Sequence, residues 1–148
     1  MKELSHTDQH GKAVMIDVSE KPVMKRIAKA RGHIKLAEET IRLVNENQLK
    51  KGDVFAVSRI AGISAAKQTH SLIPLCHNIT IDSIRIDLFA DKNGISAVSE
   101  VISTGRTGVE MEAMTAAAVA LLTVYDMCKS VDKSMGIDNL ELIEKIKK

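Results

Sequence analysis

Aromatic side chains are almost missing from this sequence, which has two Phe, one Tyr and no Trp in 148 residues. A sheet that binds single-stranded nucleic acid needs two or three rings on one face for bases to stack on, and Phe55, Phe89 and Tyr125 make a poor platform. A surplus of one charge is missing too. Against 21 Lys and Arg stand 19 Asp and Glu, a net of +2, which implies neither a nucleic-acid groove nor an anionic membrane partner and leaves only a local anion site open. The two cysteines, Cys76 and Cys128, lie in apolar settings and read as reduced thiols rather than a disulfide or metal pair. His6, His10 and His33 are too widely spaced to suggest a metal site. No apolar run reaches the roughly 18 residues of a bilayer span, and the opening MKELSHTDQHGK is too polar for a secretory leader, so a soluble, cytoplasmic protein is expected.

With 45% apolar and 27% charged residues, the chain can bury a core of its own. Residues 1–12 are polar and read as a flexible N-terminal segment; residues 13–148 read as one domain without repeat or linker.

The organising stretch is 107–129, TGVEMEAMTAAAVALLTVYDMCK, one long Ala-rich helix. Thr107 followed by Glu110 has the form of a capping box and sets the expected start. Met114, Ala117, Ala118, Leu121, Tyr125 and Cys128 follow spacings of three and four and read as its core stripe. Asp126, Lys129 and Lys133 share one flank, with Asp126 and Lys129 close enough to pair. Glu112 points to nearly the same side but lies 14 residues earlier, about 21 Å along the axis. Either the helix serves two sites, or a second copy of the chain brings its far end across.

The rest supplies strands and shorter helices. Residues 13–19 read as a short extended piece before the break at Lys21-Pro22, and residues 24–36 as a half-exposed strand with Arg26, Ala28 and Ala30 on one face. Arg26 is then either a reachable cation or a solvated surface residue. Residues 37–48 form an amphipathic helix; Asp53 caps the next one, over 54–61, and Gly62 is expected to separate it from a further helix over 64–72. Lys51 stands where a helix dipole favours anions, so it is either a plain surface lysine or part of a phosphate site. LIPLCHN, residues 72–78, is extended around Pro74 and ends in His77, a structural imidazole or a proton carrier. Alternation over 79–90 changes phase, which suggests a bulge near Asp82-Ser83; Asn93-Gly94 marks a hairpin tip, and 95–103 is the return strand. Residues 140–146 fit strand and helix equally. The order is an α+β, βαββαβ plan: an antiparallel sheet with its helices on one face and an elaborated first crossover.

Several blocks together resemble the cyclic pyranopterin monophosphate synthase family of molybdenum cofactor biosynthesis, the MoaC proteins. They are MIDVS from Met15, KGDVF from Lys51, AGI from Ala61 with AAK ending at Lys67, LIPLCH from Leu72, TGVEMEA from Thr107 and YDMCK from Tyr125. They occur in order from about Ala13 to Lys133. The departure is at the end, where the family often finishes in a Gly-rich, Lys-containing tail and this chain has Lys147-Lys148.

The resemblance implies a ferredoxin-like subunit assembled as a homohexamer, a trimer of dimers, with sites at subunit interfaces. It implies conversion of 3′,8-cyclo-7,8-dihydroguanosine 5′-triphosphate to cyclic pyranopterin monophosphate with release of diphosphate, a lyase reaction. Carried over by position, Asp126 is the catalytic acid/base with Lys129 as its partner, and Lys51 and His77 assist binding or proton transfer. Leu75, Cys76, His77, Met111 and Glu112 contact the substrate, Arg26 is a phosphate candidate, and Glu110 and Lys67 complete the set. No metal and no cofactor are implied; the partners are a small-molecule triphosphate and further copies of the chain, not nucleic acid or membrane. Two other classes compete: a lysine-dependent lyase or aldolase using Lys51 or Lys129 as a Schiff-base amine, and a non-catalytic nucleotide-sensing ferredoxin-like module.

Overall fold

The computed structural model describes residues 6–148. The first five residues of the polar N-terminal segment lie outside the described part. Four strands and four helices follow one another: β1 Met24–Lys35, α1 Glu38–Asn45, α2 Val54–Lys67, α3 Thr69–Leu72, β2 Ser83–Asp91, β3 Gly94–Gly105, α4 Glu110–Cys128 and β4 Gly136–Lys147. The strands form one antiparallel sheet in the order β2-β3-β1-β4, the βαββαβ arrangement of a ferredoxin-like fold. The three helices of the first crossover are its elaboration.

Alternation in β1 sends Ala28, Ala30 and Ile34 inward, and β3 answers with Ile95, Ala97 and Val101. α4 lies over these strands on Ala113, Ala116, Ala117, Ala120, Leu121, Val124 and Cys128, all fully buried. Ser99 on β3 donates to the Ala113 carbonyl at 2.6 Å, fixing helix to sheet. α2 packs beside α4 on the same face, and Arg59 Nε donates to the Ile86 carbonyl of β2 at 3.1 Å.

Both interior glycines exist for approach. A Cβ on Gly32 would meet Leu121 Cδ1 at 2.7 Å, so the glycine seats α4 on β1 instead of interrupting the strand. A Cβ on Gly62 would lie 2.3 Å from Ile86 Cδ1 and 2.8 Å from the Ala116 carbonyl oxygen. Gly62 therefore does not separate two helices as the sequence suggests: α2 runs through it unbroken, and the missing side chain lets α2 touch α4.

Other expectations are corrected or refined. β2 begins at Ser83 in continuous register with β3, and the Asp82 amide also donates to the carbonyl of Ile102, the residue Ser83 faces, at 2.8 Å, so the irregularity expected at Asp82-Ser83 lies at the very start of the strand, with Ile79 and Ile81 before it. The hairpin turns on Lys92-Asn93, with Gly94 already in β3 and the Asp91 carboxylate accepting from the amides of Asn93 and Gly94. Residues 13–19 stay outside the sheet, and Pro74 sits in a turn closed by the Cys76 amide on the Ile73 carbonyl. Residues 140–146 are strand, carried by β4 along the free side of β1. In α4 the stripe is partly misassigned: Tyr125 is exposed, Met114 and Ala118 are half-buried, and Ala113, Ala116, Ala120, Val124 and Met127 complete the buried face.

Candidate functional site

α4 starts at Glu110, three residues later than Thr107, and its N-cap residue Val109 makes no side-chain cap bond. The capping box does not form because Glu110 is used elsewhere. Its carboxylate folds back over Gly108, where a Cβ would meet it at 2.2 Å, and pairs with Lys145 of β4 at 2.5 Å. Burial pushes this carboxyl upward, but the bond from Lys145, its own amide and the charges of Lys145 and Arg26 bring it below the ordinary glutamate value.

Beside this start lies a cavity of about 1030 Å³, lined from four directions. β1 and the segment before it give Lys21, Met24 and Arg26; the segment after α3 gives Leu75, Cys76 and His77. The turn into α4 and its first residues give Arg106, Glu110, Met111 and Glu112, and β4 gives Lys145 and Lys147. Antiparallel pairing puts Ala28 opposite Lys145 and Arg26 opposite Lys147, so all three cations share the inward face at one end of the sheet. Five fixed cations, Lys21, Arg26, Arg106, Lys145 and Lys147, face two carboxylates. Arg26 is held against the backbone, donating to the carbonyls of Gly105 at 3.4 Å and Arg106 at 3.1 Å.

Glu112 is only 4% exposed. Burial raises its carboxyl above the ordinary value against the pull of its own amide, and the charge of Glu110 raises it further. Cys76 is half-buried and free; burial, then Glu112 and Glu110, push its thiol up, so it stays protonated. His77 Nε2 lies 2.7 Å from the Ile16 carbonyl and donates to it, which leaves Nδ1 as the acceptor in the neutral ring.

The second cluster sits at the other end of α4. Lys51, delivered by the turn between α1 and α2, reaches Asp126 Oδ2 at 3.0 Å and the Asp126 carbonyl at 3.1 Å. Lys129 Nζ takes Asp126 Oδ1 at 2.6 Å. Hydrogen bonds from Lys129 and then Lys51, with their charges, hold the Asp126 carboxyl below the usual carboxylate range, and Asp126 in turn raises Lys129. All three side chains are about half exposed. The cluster is anchored by buried Asp132, whose carboxylate accepts from the amides of Ala37 and Ser134 and the Ser134 hydroxyl. Burial opposes ionisation there, but these bonds win and bring the carboxyl down to about 2.

Arg26, Leu75, Cys76, His77, Glu110, Met111 and Glu112 are thus gathered around one cavity, and Lys51, Asp126 and Lys129 in one cluster elsewhere. Lys67 joins neither; it borders a hollow of about 390 Å³ with Asp82 and Ile84. Lys21, Arg106, Lys145 and Lys147 escaped the sequence reading. The last two alternate by two residues, a signal hidden while 140–146 fitted strand and helix equally.

A profile of the MoaC family matches residues 15–147. The chain belongs to the MoaC family. Within that family it is 51% identical over 147 residues to the cyclic pyranopterin monophosphate synthase of Thermomicrobium roseum, an alignment covering 98% of this chain and 89% of that one. It is 50% identical over 147 residues to the protein of the same name from Cereibacter sphaeroides, covering 98% and 92%. The match of a MoaC-family chain over this length includes both ends of α4, so cavity and lysine–aspartate cluster belong to the matched region.

Proposed function

We propose that this chain is a cyclic pyranopterin monophosphate synthase of molybdenum cofactor biosynthesis. It acts on 3′,8-cyclo-7,8-dihydroguanosine 5′-triphosphate and releases diphosphate as a lyase of the cytoplasm. The observation that carries the reading is Asp126 held between Lys51 and Lys129, in a chain 51% identical to a synthase of that name.

The cluster suits the chemistry. An ionised carboxylate between two ammonium groups can accept a proton from the substrate while its neighbours neutralise developing negative charge or return a proton. The five cations of the cavity can hold the triphosphate, and Arg26, already fixed to the backbone, loses little freedom in doing so. Closing the cyclic phosphate requires a substrate hydroxyl to attack the innermost phosphorus while its bond to the bridging oxygen breaks. The hydroxyl proton passes to a base and diphosphate leaves with its charge. Leu75, Cys76, His77, Met111 and Glu112 form the wall against which the fused ring would lie, and burial makes the Glu112 carboxyl easier to protonate than an ordinary glutamate. One helix of one subunit cannot bring its two ends together, which agrees with a site shared between subunits, and the family resemblance implies that the working form is a homohexamer, a trimer of dimers.

Incubation with the cyclic dihydroguanosine triphosphate, assaying diphosphate and pterin product together, tests this. Turnover by the wild type, lost in folded Lys51→Ala and Asp126→Ala, supports the synthase. Tight binding of the triphosphate without product would replace it with the nucleotide-sensing module, and borohydride trapping of a carbonyl substrate on Lys51 or Lys129 with the lysine-dependent lyase.

A further inference from the structure

The chain ahead of β1 forms one wall of the cavity without belonging to the sheet. His6, Ile16, Val18, Lys21 and Pro22 all line it. Much of the hydrogen bonding of this segment stays within it. The Asp8 carboxylate accepts from the amides of His10 and Lys12, the Val14 amide donates to the His6 carbonyl, and the Lys21 amide donates to Val18. Residues 6–15 are exposed throughout, whereas Ile16 and Val18, two apart on an extended run, are half-buried. Before Lys21, the segment meets the folded body at those two residues.

His77 reaches it there. Its imidazole comes from the segment after α3, 61 positions on, and Nε2 lies 2.7 Å from the Ile16 carbonyl. A carbonyl oxygen can only accept, so Nε2 carries a proton in the neutral ring as it does in the protonated one. The bond therefore persists whether Nδ1 gains or loses a proton. A clasp alone would need only a donor, which a side-chain amide supplies as well. What an imidazole adds on a cavity wall is its second nitrogen.

We propose that His77 divides two tasks between its two nitrogens: Nε2 clasps residues 13–22 against the cavity as a wall, and Nδ1 exchanges a proton with the bound substrate. The second task rests on reading the cavity as the substrate's; the first does not. Nδ1 takes the proton on its lone pair, giving the imidazolium, and returns it to a later intermediate, so no further reactant is consumed. Ile16 is then a positioning residue acting through its backbone, since its carbonyl fixes both the tautomer and the orientation of the ring.

Two substitutions separate the tasks. His77→Gln keeps a donor for Ile16 and lacks the second nitrogen; His77→Ala lacks both. Limited proteolysis reads the clasp without substrate, using trypsin at Lys12 and glutamyl endopeptidase at Glu20, with trypsin at Lys92 in the hairpin turn as the control; all three residues are exposed. His77→Gln is expected to be cut as slowly as the wild type and His77→Ala about tenfold faster at Lys12 and Glu20, the net worth of one hydrogen bond, with Lys92 unchanged in all three. Turnover reads the other nitrogen. His77→Gln keeps its KM and loses about a hundredfold in kcat, while His77→Ala loses as much in kcat and also raises KM about tenfold. Equal cleavage of wild type and His77→Ala overturns the clasp, as does His77→Gln being cut as fast as His77→Ala. Faster cutting at Lys92 as well overturns it too, because the fold and not the segment has then loosened. Full kcat in His77→Gln overturns the assignment of Nδ1. The expected cleavage pattern in a wild type without turnover upholds the clasp and removes the synthase reading.

Discussion

Glu112 and Asp126 stand on the same helix, and their surroundings push the two carboxyls apart: burial raises the first, two ammonium groups lower the second. At the N-terminal end the helix is embedded in a cavity wall, and burial is the largest cause of the shift. At the C-terminal end the carboxylate is half exposed and its partners decide. The contrast shows how one helix can shift two carboxyls in opposite directions from their ordinary values, one by burial and the other by its charged partners.

The comparison breaks most completely at the exposed end. Asp126→Asn keeps the shape and removes the charge; turnover is expected to fall by about two to four orders of magnitude with folding intact by circular dichroism. Next comes the spacing between the helices. Gly62→Ala drives a methyl into the Ala116 carbonyl, which cannot swing aside, and denaturant titration should show a loss of about 3 kcal/mol. Third is the anchor of the exposed end. With its carboxyl held at about 2 against the ordinary 3.8, Asp132 contributes about 2 kcal/mol. Since the folded value is the lower, that contribution is full above pH 3.8 and drains away as pH falls through about 2. Stability curves of wild type and Asp132→Ala should therefore converge toward acid. Asp53→Ala removes the bond to the Ala56 amide that starts α2 just after Lys51, at a cost of about 1 kcal/mol in thermal unfolding.

The smallest effect sharpens the buried end. Glu112 has a folded pKa above the ordinary 4.5, so the stability tied to its neutral form is present below 4.5 and lost as pH rises through the folded value. Glu112→Gln escapes that loss, and its melting temperature should gain on the wild type as pH is raised. A constant gap would mean that burial does not raise the Glu112 carboxyl.

What could be read from the residues was whatever is settled locally. Asp53 caps α2 as its position suggests, and the Asp126–Lys129 pair forms at the predicted spacing. The misses are places where distant residues overrule neighbours. Glu110 forgoes its cap for Lys145, 35 positions away in sequence, and Gly62, which locally resembles a break, is a contact point with α4. The cavity was half legible: LIPLCH and TGVEMEA could be recognised, but Lys21, Arg106, Lys145 and Lys147 are ordinary surface lysines and arginine until β4 pairs with β1. Tyr125 followed the apolar rhythm of α4 yet faces outward, because periodicity gives a stripe and not the layer that covers it.

β1 lies between β3 and β4, so the first strand made must wait for the last before its second edge is paired. On a ribosome this sets a sequence in time. Hairpin, helices and the Lys51–Asp126–Lys129 cluster can all assemble while residues 136–147 are still in the exit tunnel, with the side of β1 that will receive Lys145 and Lys147 left open. A nascent chain paused there would carry its lysine–aspartate cluster in place and its cation-lined cavity half made. Its bare β1 edge would face every other such chain on the same message.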